Sequence, residues 1–238
     1  AGNNTYDNAV IENSKISVKN KIQNNQSMLD DIMNSTQYPK QLQELALKNE
    51  EAIEFVYDYP TEHVKEHTID LTEEASMDSV PLFVQWDKRW GYEKYSGNFF
   101  AASGCGPTTL SMVVVYLTHN REASPIAVAK YSKEAGYSVD GSGSSWTLIS
   151  EGCMHYGVKA KAVALDESRM KAELDEGHPI VVNVGPGDFT DTGHFMVITG
   201  YDDEGFSIND PNSIEKSGKR WLFRNISSQI RAVWSMYV

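Results

Sequence analysis

The chain has 238 residues, 40% of them apolar, enough for one large domain or for a compact domain with an extension. Its 33 acidic and 21 basic residues leave a net charge of −12, which argues against binding to phosphate backbones or anionic lipid. The longest apolar run, Met112 to Leu117, falls far short of the ~18 residues a membrane-spanning helix needs. Two cysteines, Cys105 and Cys153, with no C-x-x-C pair exclude a disulfide scaffold and point away from structural zinc, so no cofactor is expected.

The charge is uneven. Residues 1–80 carry 15 acids and 6 bases, and residues 81–238 carry 18 and 15, which suggests two segments with different roles. Residues 1–35 predict a polar helix with a thin apolar stripe (Ile16, Val18, Ile22, Met28, Leu29, Ile32). Tyr38-Pro39 opens a pair of short helices joined near Asn49. Thr61 to Asp78 is acidic and weakly periodic and reads as a linker, with Ser79-Val80-Pro81 as a boundary. Residues 84–104 are aromatic and Gly-rich without periodicity. Helices are predicted from Gly106-Pro107 through Leu117, from Ser124-Pro125 to about Ala135, and from Ser144 or Ser145 to about Tyr156. Strands then dominate: 158–164, 179–184, 194–201, 205–208, 220–223 and 232–237, with one helix over 166–176. Helices first and strands later is an α+β order.

The residues that carry chemistry follow from this layout. Cys105 stands in Ser103-Gly104-Cys105-Gly106-Pro107-Thr108, at the start of a helix, where the dipole favours a thiolate. The alternative is a small buried cysteine beside a turn. His194, in Gly193-His194-Phe195, begins an apolar strand and can serve as the base that a nucleophilic thiol needs. Asp210, in Asn209-Asp210-Pro211, lies where a hairpin returns to the level of His194, and could orient the imidazole or be a plain turn residue. Gln85 could donate to an oxyanion together with the backbone N–H of Cys105. The Gly141 to Trp146 segment reads as cleft lining, although Trp146 could equally be core. Cys153 reads as core, and His155 and His178 as surface residues without partners.

In this order, these positions resemble the papain superfamily of cysteine peptidases, and more narrowly the family-39-like peptidases related to bacteriocin-leader peptidases. The resemblance is carried by Pro81 to Asp87, Arg89-Trp90-Gly91, Ser103 to Thr108, Gly141 to Trp146, Gly187 to Thr190, Gly193-His194-Phe195 and Asn209-Asp210-Pro211. It implies a papain-like α+β fold over 79–238, with N-terminal helices carrying the cysteine and a C-terminal antiparallel sheet carrying the histidine. Residues 1–78 form an acidic helical extension to that core. The resemblance implies Cys105 as nucleophile, His194 as base, Asp210 as orienting residue and Gln85 as oxyanion donor, with Gly104, Gly141, Ser145, Trp146 and Gly193 contacting substrate. It also implies peptide-bond hydrolysis through a thioester intermediate, a peptide or protein substrate, and a secreted or cell-surface location in a Gram-positive bacterium. The chain starts at Ala1, compatible with a signal peptide already removed. Two other functions use the same residues: an amidase or acyltransferase acting on cell-wall peptides or other amides, and a non-catalytic peptide-binding module. The extension is expected to pack on the catalytic domain, with covering of the cleft as a further role.

Overall fold

The structure, a computed structural model, describes residues 4–238, with side chains from residue 8 onward. The described residues divide into two compact units, one up to Lys65 and one from Glu66 to Val238.

The first unit is helical. A 30-residue helix, Asn4–Met33, is about 45 Å long. Val10, Ile11, Ile16, Val18 and Ile22 are exposed along it, and Ile32 is fully buried near its end. Helices Lys40–Lys48 and Ile53–Tyr57 follow, separated at Asn49 as predicted. Asn49 leaves helical geometry, donates its N–H to the Leu45 carbonyl, and accepts from the Glu51 N–H at 3.1 Å through its side chain. One residue thus ends one helix and starts the next turn. Ile32, Leu42, Leu45, Ala46, Ile53, Phe55 and Val56 form the small core.

The second unit is α+β. Its sheet comprises β1 (Lys159–Ala162), β2 (Ile180–Val184), β3 (His194–Asp202), β4 (Gly205–Asn209), β5 (Arg220–Trp221) and β6 (Ile230–Tyr237). The order across the sheet is β1-β6-β2-β3-β4-β5, and every pairing is antiparallel. Both faces of the central strands are covered, which is why β2 reads as a continuous apolar run rather than an alternation. Val181, Phe195, Val197, Trp234 and Met236 face a core built on helix Cys105–Thr118, with Leu110, Val113 and Val114. Ile180, Val182, Val184, Met196 and Ile198 face a second core that includes Met170 from helix Glu167–Asp175. The predicted helix starts at Ser124 and Asp166 are capped by those side chains, which accept the N–H groups of Ala127 and Arg169.

Two expectations need correction, and the compact units part between Lys65 and Glu66, upstream of the boundary expected between residues 78 and 79. Leu71 and Ala75 are buried in the large core, His119 Nδ1 lies 2.8 Å from the Ala75 carbonyl, and Arg89 pairs with Glu74 at 3.7 Å, so residues 66–78 belong to the second unit. The helix expected over 144–156 is two pieces, Thr147–Ser150 and a 3₁₀ turn at Gly152–Tyr156, interrupted where Gly152 packs tightly on Leu148 and Tyr137. His155 and His178 do have partners: His155 stacks on Tyr131 at 3.9 Å, and His178 Nδ1 lies 2.8 Å from Glu173.

Candidate active site

The chain makes a single helical turn at Phe100–Ser103, breaks at Gly104, and re-enters helix at Cys105. Cys105 therefore holds the first position of a 14-residue helix, where N–H groups have no intrahelical acceptor and the dipole favours an anion. Gly106 must be bare, because a Cβ there would lie 2.8 Å from Ser144 Oγ. The hairpin of Ser138–Val139 and Gly143–Ser144 is thus packed directly against the start of the Cys105 helix.

His194 is the first residue of β3 and pairs with Val184 of β2. Its Nε2 lies 2.6 Å from Asp210 Oδ1, at the end of the β3–β4 hairpin. Asp210 is itself fixed: Oδ1 also accepts the Asn212 N–H at 2.8 Å, and its backbone N–H donates to Ser217 Oγ at 2.8 Å. With Nε2 committed to Asp210, Nδ1 is the nitrogen left to face Cys105, which lies near enough for thiol and imidazole to act on each other's titration. Cys105, His194 and Asp210 form one line, and His194 and Asp210 are buried while Cys105 is partly exposed.

Burial works against an imidazolium at His194, but the charge and hydrogen bond of Asp210, followed by those of Cys105, push its pKa up to about 10. Burial likewise works against a thiolate at Cys105, yet the hydrogen bond and charge of His194 and the backbone N–H of Phe195 carry it below the ordinary thiol value. The two shifts are coupled, each group favouring the charged form of the other. Cys153 shows the contrast: it is free, fully buried, and pushed up to about 11 by burial.

Gln85 is buried and joins the two sides of this line. Its backbone N–H donates to the Pro211 carbonyl at 2.7 Å, and its Nε2 donates to the Ala101 carbonyl at 2.9 Å, in the turn before Cys105. One amide proton remains unspent, and Oε1 is buried without a partner. The neighbouring stretch is stitched down in the same way, with Asn209 Nδ2 donating to the Val80 and Pro81 carbonyls and Trp86 Nε1 to the Asn212 carbonyl.

The five expected substrate contacts divide. Gly104 lies directly before the helix, and Gly193 directly before His194. Gly141 occupies a left-handed turn at φ 78°, with its N–H on the Ser96 carbonyl. Ser145 is engaged locally, bonding to Thr147 through its hydroxyl and to the Tyr137 carbonyl through its N–H. Trp146 is 45% exposed and meets Trp234 edge-on at 5.9 Å, which places it at the surface rather than in the core. Sequence reasoning missed the Asn212 and Ser217 contacts to Asp210, although the Asn-Asp-Pro-Asn-Ser turn is rich in residues that make such local bonds.

Among solved structures, the chain is similar to the peptidase domain of Streptococcus ComA, described as a bifunctional ABC transporter involved in a quorum-sensing pathway. The identity is 20% and the TM-score 0.44, over 57% of this chain and 90% of that one. It is also similar to a putative C39-like peptidase from Bacillus anthracis, at 18% identity and a TM-score of 0.40, over 67% of this chain and 95% of that one. A search of curated proteins finds no match. The profile of the Peptidase_C39 like family matches residues 77–238, the whole sheet and the Cys105 helix included, and the chain belongs to that family.

Proposed function

We propose that the protein is a cysteine peptidase acting through a thioester intermediate. The observation that supports this most is the grouping of Cys105, His194 and Asp210, with the imidazole raised in pKa by Asp210 and then Cys105, and the thiol lowered by His194. Cys105 as thiolate attacks the scissile carbonyl carbon, and the electron pair of the carbonyl moves onto oxygen. The backbone N–H of Cys105 and the free amide proton of Gln85 hold that oxyanion. Imidazolium at His194 then gives its proton to the departing amine, leaving the acyl group on sulfur. The neutral imidazole next takes a proton from water, whose oxygen attacks the thioester and releases the acid and the thiolate. Asp210 holds the ring in the orientation both steps need.

The test is digestion of a broad peptide library by the whole chain, with Cys105→Ala as control. Wild type is expected to cleave a subset of peptides that the variant leaves intact, and iodoacetamide at neutral pH is expected to alkylate Cys105 much faster than Cys153. Equal, slow alkylation of both thiols together with an intact library would reject the peptidase.

A further inference from the structure

Strand β6 departs from regular pairing at one place. Ile230 pairs with Val184 and Ala232 with Asn183, so Arg231 is an extra residue bulged out of the β6–β2 ladder. Bulges re-aim side chains and are over-represented beside active sites. Ile230 and Val233 pack into the core beneath the sheet, whereas Ala232 and Trp234 pack on the side of the Cys105 helix. The bulge breaks the alternation at Arg231, whose place is given instead by its neighbours Gly185 and Gly193. Trp234, on the helix side, carries Trp146, from the segment packed against the start of the Cys105 helix.

The guanidinium of Arg231 lies over both ends of the loop between β2 and β3. A Cβ on Gly185 would sit 2.5 Å from Arg231 Nε, and one on Gly193 would sit 3.7 Å from Nη1. Any side chain at position 185 would displace the group. Arg231 is thereby held at the level of the Val184–His194 pair, against the residue that precedes His194.

This cation is exposed and makes no hydrogen bond or ion pair with any described residue. Asp188, an acid of the same loop, is spent elsewhere: its Oδ2 accepts from Gln229 Nε2 at 2.6 Å, and its carbonyl accepts from Lys216 Nζ at 2.7 Å. A second unmet group lies on β2. Asn183, two residues before Gly185, is 4% exposed, and its Oδ1 is buried without a partner. An exposed guanidinium at the end of the β2–β3 loop complements a peptide segment that offers a carboxylate. A guanidinium fork matches a carboxylate in geometry as well as in charge. The chain as a whole repels anions at a net charge of −12, so any preference for them must arise locally.

We propose, on the basis of the peptidase function put forward above, that Arg231 forms a carboxylate-binding subsite of the cleft. It selects peptides with an acidic side chain or a free C-terminal carboxylate near the scissile bond. The probe is a set of octapeptides of matched sequence, differing only in Glu against Gln at each position and in a free against an amidated C-terminus. Two readouts are taken: kcat/KM on the wild-type chain, and equilibrium binding to Cys105→Ala, which requires no turnover. At one position the carboxylate peptide is expected to be favoured about tenfold or more in both readouts, the worth of a hydrogen-bonded charge pair. The Glu/Gln and acid/amide series separate a side-chain carboxylate from a terminal one. The ratio is expected to collapse towards one in Arg231→Gln and to survive in part in Arg231→Lys. Equal binding of all paired peptides by the parent protein overturns the subsite, whatever the variants do. A retained binding preference without cleavage of any peptide overturns the peptidase and leaves the subsite standing.

Discussion

The two units of this protein treat polar side chains in opposite ways. Among the described residues, every buried polar or charged side chain lies in the second unit, from Gln85 through Thr108, Thr109, Asn183, His194 and Asp210 to Ser235. The first unit leaves its polar residues exposed or half-buried and fully buries only a small apolar core. Burying a polar group costs free energy unless it is hydrogen-bonded, and several of those in the second unit retain an unpartnered atom. The polar interior thus marks the second unit as the one that holds the candidate site.

The sharpest way to break this contrast is at Asp210. Asp210→Asn keeps the size of the side chain and removes the charge, and is expected to lower kcat by on the order of 10²–10⁴. It should also change the pH profile. Turnover needs a protonated imidazole, so activity is lost as pH rises through the His194 value, raised to about 10 chiefly by Asp210 in opposition to burial. Without the carboxylate that alkaline limb should move to lower pH. An unmoved limb would show that Asp210 is a structural turn residue and does not tune the pair. The same linkage predicts that the stabilisation His194 gives the folded state is fully present below the ordinary histidine pKa and is lost as pH rises through about 10.

Gln85 gives a smaller effect. Gln85→Ala is expected to reduce kcat by about 10²–10³ with little change in KM, because an oxyanion exists only near the transition state. Full turnover by the variant would remove Gln85 from the mechanism and leave it as a brace between Ala101 and Pro211.

The smallest effect sharpens the boundary between the units. A chain beginning at Glu66 is expected to unfold cooperatively and to keep the fast alkylation of Cys105. One beginning at Ser79 lacks Leu71 and Ala75 and should lose about 2–5 kcal/mol of stability in denaturant unfolding. Equal stability of the two chains would return the boundary to residue 79.

These boundaries show what a sequence carries openly. Cys105, His194 and Asp210 were legible because each sits in a local signature: a helix start, a strand start, a hairpin end. The structure brings all three to one point. Leu71 and Ala75 were not legible, since two isolated apolar residues in an acidic stretch have no period, and only the neighbouring core shows that they are buried. Nor was Arg231. The alternation along β6 reads as regular from the residues alone, and a bulge is set by the partner strand. Trp146 stood undecided between core and surface because an aromatic residue fits both, and its exposure follows from the neighbouring strands.

The stitches that hold the site are among the longest in the chain. Trp86 to Asn212 spans 126 positions and Asn209 to Val80 spans 129, while His194 lies 89 residues after Cys105. Contacts of such sequence separation form late, after the local helices and hairpins. A growing polypeptide therefore carries Cys105 through the addition of 89 further residues before the imidazole exists, and through 16 more before the carboxylate does. The lowering of the Cys105 thiol by His194 is therefore a property of the closed fold and not of the local sequence around the cysteine.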